Sequence, residues 1–439
     1  MKNPGKNNLP RVAIHTLGCK VNQFESACLR ERFQALGWEW VPFREEADLY
    51  LINSCAVTAE AQRQSARMVR QALRNHPQSQ VIAAGCAAQL FPEEFEKIPG
   101  LNEVIGHHHK LQIPELVALP KNQSPSRRIL LAEEEYSIEA HFPLPQEKTR
   151  AFIRIQDGCD ARCSYCLVPR ARGRSRSLKV GEVISGVTFL VREGVKELVL
   201  TGIHLGQYGG DLNPPATLVS LLEILLPTHP HLSVRLSSLE PREVTPALFS
   251  LFHRFPNLCP HLHIPLQSGD DSILQKMNRP YSLEFYRRLI QTIHRDIPRT
   301  AIGADLIVGF PGEGDIQFQE TIKFLLEIPL SYLHLFPFSP RPGTPAAGFP
   351  DPVPDKIKKE RLRIIRALDQ QKREAFIGYC LGKDFSALVL EPAKEKGWIR
   401  ALTENYLTVS IPGRFVKNER IRVRLKTLDP TGIKGEIVP

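Results

Sequence analysis

No uninterrupted apolar stretch of this 439-residue chain approaches the length that crosses a bilayer, so a transmembrane helix and a membrane partner are not expected. The stretch up to Arg11 lacks the apolar centre of a secretory leader, which argues against export. A disulfide framework is missing too. The nine cysteines are odd in number and are not spaced as a small cross-linked domain would space them. They suit a reducing compartment, and a cytoplasmic location is expected. Acidic residues do not balance basic ones: 57 lysines and arginines stand against 47 aspartates and glutamates, a net charge of +10. That surplus favours a polyanionic partner, most simply nucleic acid, although many basic proteins have none.

What is present is more pointed. Gly158-Cys159-Asp160-Ala161-Arg162-Cys163-Ser164-Tyr165-Cys166 is a C-x3-C-x2-C run. Three thiolates can hold three irons of a [4Fe–4S] cluster and leave the fourth iron open to a substrate. A zinc knuckle or unrelated buried thiols are the plainer alternatives. A zinc site normally takes four ligands, and neither a second C-x2-C nor an H-x3-H lies nearby. The spacing resembles the radical S-adenosylmethionine (SAM) superfamily. There the open iron chelates the amino and carboxylate groups of SAM, and reductive cleavage yields a deoxyadenosyl radical.

The pattern along the chain predicts an α/β protein in three parts. Over 11–110, short apolar runs at 12–16, 48–53 and 81–84 alternate with helical spacing at 22–36 and 58–75, which implies a parallel sheet. Each run is followed within a few residues by a cysteine: Cys19, Cys55 and Cys86. Ligands bind outside the carboxyl ends of such strands, so the three thiols are expected to meet on one edge around a second cluster. Three ordinary buried cysteines are the alternative. Prolines 114, 120, 125, 143 and 145 mark 111–149 as a linker. Strands then fall near 151–157, 196–201, 233–237, 261–265, 301–308 and 331–336, the pattern of a partial (β/α)6 TIM-like barrel with the C-x3-C-x2-C loop at its carboxyl face. A basic amphipathic helix over 356–380 precedes five short strands, which suggest a small β-barrel. From 381 to 439 there are 11 lysines and arginines against 7 aspartates and glutamates.

With both cysteine triads in order, the chain resembles the methylthiotransferases, from about Arg11 to Val438. These are radical SAM enzymes with an N-terminal cluster domain, a central partial barrel and a C-terminal TRAM domain; the corresponding segments here are 10–115, 145–376 and 378–439. Thr16-Leu17-Gly18-Cys19-Lys20-Val21-Asn22-Gln23, Thr201-Gly202-Ile203-His204-Leu205-Gly206-Gln207-Tyr208-Gly209 and Arg235-Leu236-Ser237-Ser238-Leu239-Glu240-Pro241 are similar to the branch acting on N6-threonylcarbamoyladenosine in tRNA. His107-His108-His109 departs from relatives that often carry asparagine, and a polar surface loop without a role is expected there.

The resemblance implies two [4Fe–4S] clusters and SAM. Cys159, Cys163 and Cys166 would hold the cluster that cleaves SAM. Cys19, Cys55 and Cys86 would hold an auxiliary cluster carrying the sulfur. One SAM would methylate that sulfur; a second would give the radical that removes hydrogen from C2 of the adenine, and the carbon radical would take the methylthio group. Thr201, Gly202, Gln267, Gly309 and Glu313 are the candidate SAM contacts after the second, fourth and fifth barrel strands, where structural turns would explain the glycines equally well. Arg170, Arg172, Arg174 and Arg176 read as an exposed basic ribbon for phosphate or the substrate carboxylate, and Arg172→Ala is expected to weaken tRNA use without loss of iron. Arg420, Arg422 and Arg424 alternate on one strand face and are candidate RNA-backbone contacts; a solvated edge strand is the alternative. The expected partners are tRNA bearing N6-threonylcarbamoyladenosine and a flavodoxin- or ferredoxin-type electron donor. Cys28, Cys259 and Cys380 are expected to be structural. Sibling substrates (isopentenyladenosine in tRNA, a ribosomal-protein aspartate), a noncatalytic iron–sulfur RNA-binding sensor and a simple electron carrier are the rivals.

Overall fold

A computed structural model describes residues 9–118, 128–131, 138–145, 150–393, 395 and 397–438. Pro120 and Pro125 lie outside these residues. The chain forms two compact units. One comprises residues up to Pro143 together with Asp157–Ala161 and Cys166–Ser175; the other holds the remainder.

The first unit is a six-stranded parallel sheet. Its strands are β1 (Arg11–Thr16), β2 (Glu39–Trp40), β3 (Leu49–Ser54), β4 (Gln80–Gly85), β5 (Glu103–Ile105) and β6 (Arg128–Leu130), in the order β2-β1-β3-β4-β5-β6. β3 is buried along its whole length, as a strand covered on both faces must be. Alternate residues feed two cores. Ala13, Tyr50, Ile52, Val81 and Ala83 pack with Ala66, Val69 and Ala72 of helix α2 (Ala59–Asn75). Val12, Leu49, Leu51, Ile82 and Ala84 pack with Leu29 and Phe33 of helix α1 (Lys20–Ala35). Thr58 starts α2 by accepting from Ala61 N at 3.0 Å. Because α1 covers one face and α2 the other, the winding reverses between β1 and β3. That point is where an open α/β sheet forms its ligand crevice. The segment expected to be a linker contributes β6; three residues among prolines are too short to read as a strand.

The second unit contains six parallel strands at 150–154, 197–201, 233–236, 261–263, 301–308 and 332–337. They form two three-stranded sheets in sequence order. Among the described residues, the isolated bridges Val234–Leu258 and Ser238–His263 link the third strand and its neighbours to the fourth, so the expected barrel is present but loosely paired at its middle. Helix Asp355–Cys380 leads into a closed five-stranded barrel, Asp384–Pro392, Trp398–Thr403, Thr408–Pro412, Gly432–Ile437 and Arg420–Asp429 in spatial order, as the five short runs predict. Its core is Phe385, Val389, Ala401, Val409, Ile411, Val423 and Leu425.

The turn at 403–406 of this small barrel docks on the larger one. Arg235 donates to Glu404 O at 2.9 Å and to Thr403 O at 3.4 Å. The Tyr406 ring is met by Arg235 at 5.0 Å, Arg150 at 5.8 Å and His261 at 4.3 Å. Those three side chains come from the third, first and fourth strands, so they converge on the inner face of the partial barrel. Among the described residues no helix is long and apolar enough to cross a membrane.

Candidate active site

Cys19 stands at the N-cap of α1, Cys55 directly follows β3, and Cys86 opens a short helix, α3 (Cys86–Leu90), at the end of β4. All three sit at the carboxyl edge of the sheet, and the charges of Cys86 and Cys19 both act on Cys55. The approach is close. A Cβ on Gly18 would lie 2.8 Å from Cys55 Sγ. Gly85 has φ +97°, and a Cβ there would meet Asn53 Oδ1 at 2.7 Å, so only glycine lets β4 turn to present Cys86. Burial pushes the Cys55 thiol up to about 11. Burial also raises Cys86, against the pull of Arg172 and Lys110. Both sulfurs are therefore neutral thiols at pH 7 unless a bound cation holds them as thiolates.

Behind Cys86 lies a buried network that the sequence pattern does not reveal. Arg172 Nη1 donates to Asp157 Oδ1 at 2.9 Å and to Glu25 Oε1 at 3.2 Å, and Nη2 donates to Asn22 Oδ1 at 2.7 Å. Lys110 Nζ pairs with Glu25 and reaches Asn53 Oδ1 at 3.2 Å. His107 Nε2 lies 3.3 Å from Asp157 Oδ2. Burial, then Arg172, lowers His107 to about 3, so its imidazole is neutral. Two acids and two bases balance. Burial opposes the Arg172 charge, but Cys86, Glu25 and Asp157 outweigh it and hold the guanidinium charged.

This overturns two expectations. Arg172 is not part of an exposed ribbon: it is 1% exposed, because Asp157, Glu25 and Asn22 take up its guanidinium. Its replacement should disturb this network rather than an RNA contact. His107 is not in a surface loop; Asp157 and Glu25 draw it inside. Arg170 and Arg174 do reach solvent, whereas Arg176 is half-buried.

The C-x3-C-x2-C loop suits iron-bound thiolates. Cys159 Sγ accepts from Ala161 N at 3.4 Å and Cys166 Sγ from Val168 N at 3.4 Å. Cys163 Sγ accepts from Arg279 Nη1 at 3.2 Å. Donors aimed at each sulfur are what a cluster's thiolates need around them. Gly158 holds the start of the loop against Gly173 and Arg174: a Cβ there would lie 1.9 Å from Arg174 O. Arg279 also pairs with Glu240 and donates from Nε to Tyr281 Oη at 3.3 Å. No local signal marks Arg279, which lies far downstream of the loop it serves.

The proposed SAM contacts divide. Thr201 is fully buried and donates its hydroxyl to Ile153 O at 2.7 Å. Glu313 is buried and accepts from Gly309 N at 2.9 Å and Arg361 Nη1 at 2.8 Å. Burial still lifts the Glu313 carboxyl to about 7. Lys358 fills the space over Gly309, where a Cβ would lie 2.2 Å from Cγ. Thr201, Gly309 and Glu313 are thus tied into the barrel's own hydrogen bonds and packing. Gly202 packs against Gln156 and Leu205 but is not fully buried. Gln267, at φ +65°, bridges to Leu306 and is likewise partly open.

Of the C-terminal arginines, Arg424 is paired with Asp384 through Nε at 2.7 Å and Nη2 at 3.1 Å. Arg420 Nη2 donates to Ser233 Oγ at 2.8 Å and Lys196 O at 3.1 Å. Arg422 is 65% exposed. All three line a groove of about 790 Å³ with Arg299, Lys383 and Asp384. Cys28, Cys259 and Cys380 are buried in core positions.

Comparison with known proteins agrees with this organisation. The model described as uncharacterized protein family UPF0004 matches residues 11–106, and that of the radical SAM superfamily matches 153–325. The threonylcarbamoyladenosine tRNA methylthiotransferase MtaB of Aquifex aeolicus is 38% identical over 94% of this chain and 99% of its own length. The protein of the same name from Bacillus subtilis is 35% identical over 92% of this chain and 90% of its own. Among solved structures, the radical SAM methyltransferase TsrM of Kitasatospora setae, with tryptophan and a SAM analogue bound, aligns with a TM-score of 0.55 at 15% identity. It covers 77% of this chain and 75% of that one, a likeness of fold alone.

Proposed function

Because the chain belongs to the MtaB-type family of radical SAM methylthiotransferases, we propose that it converts N6-threonylcarbamoyladenosine in tRNA to its 2-methylthio derivative. The observation that carries this reading is the pair of three-cysteine sets: one at the carboxyl edge of a parallel sheet at its switch point, one on the loop after the first strand of a partial barrel. Segments 10–115, 145–376 and 378–439 would then serve as auxiliary-cluster domain, radical domain and RNA-binding TRAM domain. When bound, two [4Fe–4S] clusters and SAM supply the radical and the methylthio group.

The chain's own residues do the rest. Cys159, Cys163 and Cys166 hold one cluster, with Arg279 fixed on Cys163 by Glu240 and Tyr281. Cys19, Cys55 and Cys86 hold the other. Arg172 locks α1, which begins beside Cys19, to Asp157, two residues before Cys159. Thr201, Gly202, Gln267, Gly309 and Glu313 are the candidate SAM contacts. Arg170, Arg174 and Arg422 present charge to the RNA backbone. A flavodoxin- or ferredoxin-type donor would deliver electrons, in a cytoplasmic setting that keeps the thiols reduced.

The test is nucleoside mass spectrometry after anaerobic reaction of the reconstituted protein with SAM, reductant and sulfide. Two tRNA pools are offered, one bearing threonylcarbamoyladenosine and one isopentenyladenosine. A methylthio gain only in the first is expected. Gain only in the second overturns the substrate, and gain in neither, with SAM left intact, overturns the activity.

A further inference from the structure

The inner face of the partial barrel carries a second group of metal-ligating side chains, remote in sequence from both cysteine sets. His263 ends the fourth strand, Asp305 lies in the fifth and His334 in the sixth. The register pairs His263 with Gly303 and Asp305 with His334. Period-two alternation therefore sends all three to one face, the face on which His261 meets Tyr406.

Asp305 Oδ1 lies 3.2 Å from His263 Nε2 and 3.3 Å from His334 Nδ1. The three ligand atoms all lie within 4.8 Å of one another. Ligand atoms about 2.0–2.1 Å from a tetrahedral zinc stand roughly 3.3 Å apart, so two of the three edges already have the spacing a cation would impose. The outer shell is also in place. Ser238 Oγ lies 2.8 Å from His263 Nδ1, which fixes the ring with Nε2 facing Asp305, as metal-bound histidines are usually held. Side-chain exposure rises from 6% at His263 through 23% at Asp305 to 52% at His334. The trio is thus sealed on one side and open on the other, the form of a site that keeps free coordination positions.

Another trio, Glu25, His107 and Asp157, also meets the distance condition, but Arg172 and Lys110 already neutralise its carboxylates. Among the described residues no lysine or arginine pairs with Asp305. Its neighbours are the two imidazoles, at 3.2 and 3.3 Å. A largely buried aspartate flanked by two imidazoles offers three ligand atoms to one cation.

We propose that His263, Asp305 and His334 form a divalent transition-metal site of the zinc class within the barrel, with its open positions available to an oxygen ligand. One carboxylate and two neutral imidazoles would leave the bound ion with a net positive charge, so water or a carboxylate is the ligand class it would take.

The test uses the holoprotein with both clusters loaded, equilibrated with zinc, freed of excess by gel filtration and assayed for iron and zinc by mass spectrometry. Wild type should retain about one zinc per chain beyond its iron. His334→Ala and Asp305→Asn should retain background zinc with iron unchanged, and Ser238→Ala should weaken zinc affinity by about 10–100-fold. His334 is half-exposed, so its replacement separates ligand loss from misfolding. Equal zinc in wild type and His334→Ala, or no zinc beyond background in wild type, overturns the site. Neither result depends on whether tRNA is modified.

Discussion

Arg172 is where a single residue bears most on the first unit. Its guanidinium is the shared partner of Glu25, Asp157 and Asn22, and removing one member of a buried ionic set strands the others. Arg172→Met should therefore destabilise the protein by about 3–5 kcal/mol, whereas Arg170→Gln, at an exposed position, should stay within about 0.5 kcal/mol. Urea unfolding of the two variants measures the difference, and equal midpoints would contradict the network. His107 gives a pH signature. Its folded value of about 3 lies below the unfolded value of 6.5, so the unfolded chain binds the extra proton between those values. This residue's contribution is fully present above pH 6.5 and is lost as pH falls toward 3. From pH 7 to pH 5 the loss is at most about 2 kcal/mol. Thermal melts at these two pH values should show a smaller acid shift for His107→Gln than for wild type.

At the scale of elements, the docked turn at 403–406 is the telling case. Tyr406 adopts φ +70°, an uncommon conformation for a bulky residue, and its ring meets side chains from three barrel strands. Tyr406→Ala should lower stability by about 2–3 kcal/mol, the lower end for removal of a large aromatic because the site is only partly closed. Tyr406→Phe, which keeps the ring, should lie near wild type. Thermal melts decide it, with faster proteolysis between 380 and 400 expected for the alanine variant alone. Such docking left no trace in the sequence, because a tyrosine after Thr403-Glu404-Asn405 reads as an ordinary turn. Strands were legible where apolar runs stood between turn residues, as at 49–54 and 301–308. β6 was not, since three residues carry no period. The six cysteines proposed as cluster ligands could be placed at strand ends and on one loop because spacing and strand ends are local properties. Arg172, His107 and Arg279 could not, because each acquires its role from partners tens to more than a hundred positions away.

For the whole molecule, the net charge of +10 matters only where it can meet phosphate, and the C-terminal groove shows that its arginines are not equivalent. Arg424 is committed to Asp384 through a bidentate pair along one edge of its guanidinium. Arg420 is tethered to Ser233 and Lys196 O, next to the docked barrel. Arg422 has only a 3.8 Å approach to Asp384 and keeps 65% of its side chain in solvent. An arginine in water loses little by turning to a phosphate, and each phosphate neutralised releases counterions. Arg422→Gln should therefore weaken tRNA binding and reduce the slope of log affinity against log salt by about 0.7–0.9. Arg424→Gln should leave that slope nearly unchanged, because its charge is already compensated within the barrel. Fluorescence anisotropy of labelled tRNA across a potassium chloride series distinguishes the two. A slope unaltered by Arg422→Gln would place the RNA backbone away from this groove, leaving the exposed Arg170 and Arg174 as the next charges to test.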